Sequence, residues 1–157
     1  MSIPVLSLRP FTVADAPVVG AWLDGPGVSL PPSGMAAKWA ARLVGDPRVR
    51  AWVLLADARP AAFVRLDIGP DRVAELTIAV AVGHRRRGLG AAALEMVLAQ
   101  AKALRVRRVQ AIVDAANQAA QAFFTKAGFE EGSADSGSTT FLRWIHEADV
   151  RVLELES

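Results

Sequence analysis

The sequence predicts a mixed α/β or α+β sandwich, and three observations carry that expectation. Apolar strand-like runs alternate with amphipathic helical segments along most of the chain. A strand over Arg72–Val82 breaks into an arginine- and glycine-rich loop, and a long helix begins at once. The last clear elements are again strands, joined as a hairpin. The 157 residues are enough for one sizeable core, so a single domain over 1–157 is expected. With 52% hydrophobic and 22% charged residues, the composition is that of a globular chain rather than a disordered one.

Taken in order, Ile3–Leu8 reads as a first strand ending at Arg9-Pro10. Thr12 and Asp15 both qualify as helix caps, and Pro17 sits better after a cap at Asp15. The helix runs to about Leu23. Three glycines and three prolines between Asp24 and Gly34 demand a loop, and a second short helix over Met35–Val44 stops at Gly45-Asp46-Pro47. Arg50–Ala56 and Ala61–Ile68 are apolar strands around an Asp57–Pro60 hairpin connection. In the next strand Ala74, Leu76, Ile78, Val80 and Val82 share one face. Glu75, Thr77, Ala79 and Ala81 share the other, which suits a pocket floor of small side chains with one carboxylate.

The following helix places Leu94, Val97, Leu98, Ala101 and Leu104 at helical spacing. Arg105–Arg108 breaks it, and Val109–Val113 is a strand. Asn117 suits the N-cap of a short helix anchored by Phe123 and Phe124, with Gly128 as its left-handed stop. Phe129–Glu131 starts a strand, Gly132–Ser138 reads as a polar loop, and Thr139–Ile145 is the last strand. The periodicity of residues 146–157 is mixed and assigns no element. Trp22, Trp39, Trp52 and Trp144 are expected mostly in the core, with Trp39 beside the Pro/Gly loop and available to the site.

The chemistry concentrates between Glu75 and Phe129. Arg85, Arg86, Arg87, Gly88, Leu89, Gly90 and Ala91 join a strand to a helix start. Glycines admit a close approach, helix-start amides lack intrahelical partners, and arginines supply donors for phosphate oxygens. No lysine follows Gly90, which excludes a Walker loop, and the third glycine of the dinucleotide fingerprint is missing. Arg85-x-x-Gly88-x-Gly90, followed by the strand Val109–Val113, Asn117 and Ala122-Phe123-Phe124-Thr125-Lys126-Ala127-Gly128-Phe129, closely resembles the GNAT superfamily of N-acetyltransferases.

That resemblance implies a mixed, mostly antiparallel seven-stranded sheet flanked by about four helices, with a splayed strand pair holding the coenzyme. It implies acetyl transfer from acetyl-CoA to a primary amine, by direct attack in a ternary complex. The amides of Arg85–Gly90 would hold the pyrophosphate, the backbone of Val80 and Val82 would pair with the pantetheine arm, and Asn117 would contact it. Where many members carry a tyrosine, this chain has Phe124, and it contains no tyrosine at all. The residue that protonates the leaving thiolate is therefore open, as is the alternative of a non-catalytic acyl-CoA-binding domain.

Glu75, ten residues before Arg85, is the candidate general base; the alternative is an ordinary strand glutamate paired with a nearby arginine. His84, beside the loop, and His146, at a strand end, are lesser candidates. No metal is implied. The acceptor is a small-molecule or peptide amine, and a homodimer is compatible with the family. The basic residues Arg85, Arg86, Arg87, Lys102, Arg105, Arg107 and Arg108 together also admit nucleic acid, which ranks below the coenzyme because the glycine loop favours the latter. Without cysteine there is no disulfide framework, Met1-Ser2-Ile3-Pro4 does not read as a secretory signal, and no apolar run reaches 18 residues. Cytoplasmic residence is the expectation.

Overall fold

The computed structural model describes residues 4–23, 36–81 and 88–145. Among these residues, seven strands and four α-helices follow one another. They are β1 (Leu6–Pro10), α1 (Ala16–Leu23), α2 (Ala36–Gly45), β2 (Val49–Ala56), β3 (Arg59–Ile68), β4 (Val73–Val80), α3 (Leu89–Ala103), β5 (Arg108–Asp114), α4 (Gln118–Lys126), β6 (Glu130–Asp135) and β7 (Ser138–Trp144). The strands form one sheet in the order β1-β2-β3-β4-β5-β7-β6. Every neighbouring pair is antiparallel except β4–β5, which is parallel. The mixed, mostly antiparallel sheet expected from the family resemblance is therefore present.

Strand alternation divides the core in two. Trp52, Leu54, Val64, Leu66, Leu76, Val109 and Phe141 face α3 and α4, meeting Leu94, Val97 and Phe124. Val49, Val53 and Phe63 face the other way, against Val19 of α1 and Ala40 and Leu43 of α2. The α1/α2 layer reaches only as far as Ala79 of β4. Beyond it the same face of β5 and β7 is open, with Ile112 55% and Trp144 42% exposed.

The structure changes several sequence expectations. Thr12 caps a 3-10 turn, Val13–Asp15, that leads into α1: Asp15 is the third residue of that turn's capping box and accepts from the Thr12 amide at 2.9 Å. Its carboxylate is held instead by Arg9 through a fork of 2.7 and 2.8 Å, which, against the opposing effect of burial, pulls its pKa down to about 2. Most of the Gly132–Ser138 loop is strand: β6 runs to Asp135, all six of its residues are exposed, and β7 supplies the ladder that its own sequence does not advertise. Trp39 stacks on Phe11 at 5.7 Å and meets Phe63 edge-on at 6.3 Å, so it packs against the core under α2, as expected of it. Trp144 faces the open side instead of the core. The hairpin connection contracts to Asp57 and Ala58, both at positive φ, the geometry of a two-residue turn.

Candidate active site

The site is built where β4 and β5 part. Their ladder holds for three steps, Val73 with Arg108, Ala74 with Val109 and Glu75 with Gln110, and then ends. From Leu76 onward β4 stays on β3, where Ala62 faces Val80, while β5 turns to β7. A wedge opens between the two strands, and Glu75 and Gln110 are the last pair at its apex. Parallel strands diverge here because each has a stronger antiparallel neighbour on its outer side.

The N-terminus of α3 stands at the other end of β4. Gly88 caps the helix at φ 76°, a left-handed conformation that costs an L side chain about 1–2 kcal/mol. Its carbonyl accepts from Ala92 at 3.1 Å. The amides of Leu89, Gly90 and Ala91 belong to the first turn, whose N–H groups point out of the helix end. Gly90 is constrained by packing: a Cβ there would lie 3.3 Å from the Phe123 ring and 3.4 Å from a Val80 methyl. α3, α4 and the end of β4 thus converge on one glycine. A helix start with aligned dipoles beside an opening between strands suits a pyrophosphate with an extended arm.

The other expected residues distribute as follows. Val82, His84, Arg85, Arg86, Arg87 and His146 lie outside the described residues. Asn117 caps α4, its Oδ1 accepting from Ala120 N–H at 3.0 Å. Phe124 is buried in an aromatic cluster with Phe123, Phe129 and Phe141. Glu75 is exposed and forms no ion pair among the described residues. It faces Asp67 on β3, but Arg65 engages that neighbour through bonds of 2.9 and 2.8 Å, so the expected arginine partner belongs to Asp67. Lys102, Arg105 and Arg107 sit at the far end of α3, about 20 Å from Gly88 along a 15-residue helix.

Sequence reading missed Gln110, Arg108 and Trp144 as neighbours of the wedge. The signal was present in β5, where Arg108, Gln110 and Ile112 alternate with buried Val109, Ala111 and Val113.

A family model described as the acetyltransferase (GNAT) family matches residues 18–129. The chain belongs to the GNAT acetyltransferase family. An acetyltransferase from Thermus thermophilus is 29% identical, with a TM-score of 0.78, covering 92% of this chain and 100% of that one. The GNAT domain of S. lividans PAT is 24% identical at a TM-score of 0.76, covering 91% and 96%. A point mutant of the spermidine N-acetyltransferase SpeG from Vibrio cholerae shares the fold at a TM-score of 0.82 and 15% identity, covering 94% and 98%. No curated protein matches the sequence. Membership in this family supports acetyl transfer and implies acetyl-CoA as co-substrate. Among the described residues no helix is long and apolar enough to cross a membrane.

Proposed function

We propose that this GNAT protein transfers an acetyl group from acetyl-CoA to a primary amine within a ternary complex. The observation that carries the reading is the wedge between β4 and β5, with the α3 N-terminus at its mouth and Glu75 at its apex. The amides of Leu89, Gly90 and Ala91, with those of Arg85–Gly88 before them, would hold the pyrophosphate, and the side chains of Arg85, Arg86 and Arg87 would add charge. From Val80 to Glu75 is five residues, about 17 Å of strand, which is comparable to an extended phosphopantetheine arm. The backbone of Val80 and Val82 would align that arm, and Asn117 and Phe124 on α4 would border it.

When bound, acetyl-CoA supplies the thioester: the amine nitrogen bonds to the acetyl carbon, the carbon–sulfur bond breaks, and the thiolate departs with the electron pair. Glu75 accepts the proton that the ammonium must lose before attack, directly or through a water. Its exposure, and the absence of an ion pair to it among the described residues, leave it available for that role. Phe124 cannot protonate the leaving thiolate, and a thiol is acidic enough to leave as the anion. The wedge also contributes by holding donor and acceptor together, an effect worth several kcal/mol.

Phe124 favours one competing reading, a domain that binds acyl-CoA without turnover. Thiol release from acetyl-CoA over a panel of amines separates the two. Amine-dependent release supports the transferase. Saturable coenzyme binding with no release for any amine supports the binding domain.

A further inference from the structure

Across the wedge apex from Glu75 stands a guanidinium without a carboxylate among the described residues. Arg108 is half-buried on β5, its guanidinium carbon 5.1 Å from the centre of the Trp144 ring. Its Nε is buried with no hydrogen-bond partner, and its one polar contact among the described residues is a long 3.5 Å approach of Nη2 to Gln110 Oε1. It takes part in none of the ion pairs among the described residues. Buried polar atoms are normally satisfied, and a half-buried cation normally has an anion nearby.

The register shows what the arrangement is complementary to. Arg108 lies opposite Val73 and Gln110 opposite Glu75, so Arg108 and Glu75 are diagonal neighbours on one face of adjacent strands. Strand spacing and rise put their backbones about 8 Å apart. Both point to the side of the sheet that α1 and α2 leave open. A cation and an anion within reach of one another nevertheless stay unpaired. Among the described residues, Arg65 and Asp67 on the same face of β3 are bonded to each other. The apex therefore offers one negative and one positive point with no net charge.

We propose that Arg108 is a specificity-determining residue that binds a carboxylate of the acceptor, and that the acceptor class is a zwitterionic amine of the amino-acid type. This rests on the reading that the amine approaches on the Glu75 side. The ammonium lies toward Glu75, the carboxylate takes the guanidinium fork, and the Trp144 and Leu142 side chains border the rest of the molecule. A polyamine would bring a second cation against Arg108 and is disfavoured there.

The test compares neutral amino acids with their C-terminal amides, which differ only in the carboxylate. The wild type is expected to favour the acids, and Arg108→Met to lower the acid-over-amide ratio of kcat/KM by about tenfold to a hundredfold. Arg108→Lys, which keeps the charge without the fork, is expected to fall between them. An unchanged ratio in Arg108→Met, or a wild type that prefers amides or polyamines, overturns the proposal. If no amine is acetylated, the transferase reading fails, and calorimetry with an N-acetylated amino acid on the coenzyme A-saturated protein decides the subsite. Binding that weakens tenfold or more in Arg108→Met upholds it; equal binding, or none to the wild type, overturns it.

Discussion

Replacing Asp15 with asparagine isolates the contact that ties the start of the α1/α2 layer to the sheet edge. The carboxylate receives two bonds from Arg9, one from the Thr12 amide and one from the Thr12 hydroxyl at 3.1 Å. Its pKa is lowered from 3.8 to about 2, mainly by the Arg9 bonds, with burial opposing. At 1.36 kcal/mol for each pH unit, that gap is worth at most about 2.4 kcal/mol. The Arg9 side chain is 37% exposed, so solvent screening reduces the contribution to about 1–2 kcal/mol. Because the folded value lies below the unfolded one, the stabilisation is complete above about pH 5 and is lost as pH falls through about 2 toward 1. Urea unfolding of wild type and Asp15→Asn at several pH values reads it directly. The variant is expected to be less stable by about 1–2 kcal/mol at pH 7, with the difference falling to a few tenths of a kcal/mol at about pH 2 and vanishing below it. A difference that stays constant over that range would refute the reasoning.

Three further outcomes concern the site. Gly90→Leu pushes a side chain against the Phe123 ring and the Val80 methyl, and is expected to weaken acetyl-CoA binding at least tenfold while far-ultraviolet circular dichroism stays native. Affinity equal to wild type by calorimetry would remove Gly90 from the coenzyme site. Glu75→Gln is expected to lower kcat/KM by about 100-fold or more and to flatten its rise with pH; a pH profile superimposable on that of the wild type would exclude Glu75 as the base. Asn117→Ala removes the cap bonded to Ala120 and is expected to cost about 1 kcal/mol in denaturant unfolding. No loss of stability would mean that α4 is held by Phe124 packing alone.

What was legible in the sequence was what is encoded locally. The Gly88–Gly90 helix start, the Asn117 cap and the Gly128 stop are each written within a few residues, and the alternation in β4 is strong enough to assign its faces. What escaped depends on partners distant in the chain or on the ladder. β6 is the polar segment Glu-Glu-Gly-Ser-Ala-Asp, and only pairing with β7 makes it a strand. Asp15 looked like a cap because its Arg9 partner lies on the preceding strand. Arg108 looked like one of several basic residues at a helix break. The register that sets it beside Trp144 and diagonal to Glu75 joins three separate strands.

The central claim is that the helix start at Gly88–Ala91 and the β4–β5 wedge receive the coenzyme. Titrating isotopically labelled protein with coenzyme A while following backbone amide resonances tests it directly. The largest shifts are expected at Leu89, Gly90 and Ala91, continuing along β4 from Val80 toward Glu75. Saturable binding that leaves those amides unmoved, or shifts confined to Lys102–Arg107 at the opposite end of α3, would contradict it.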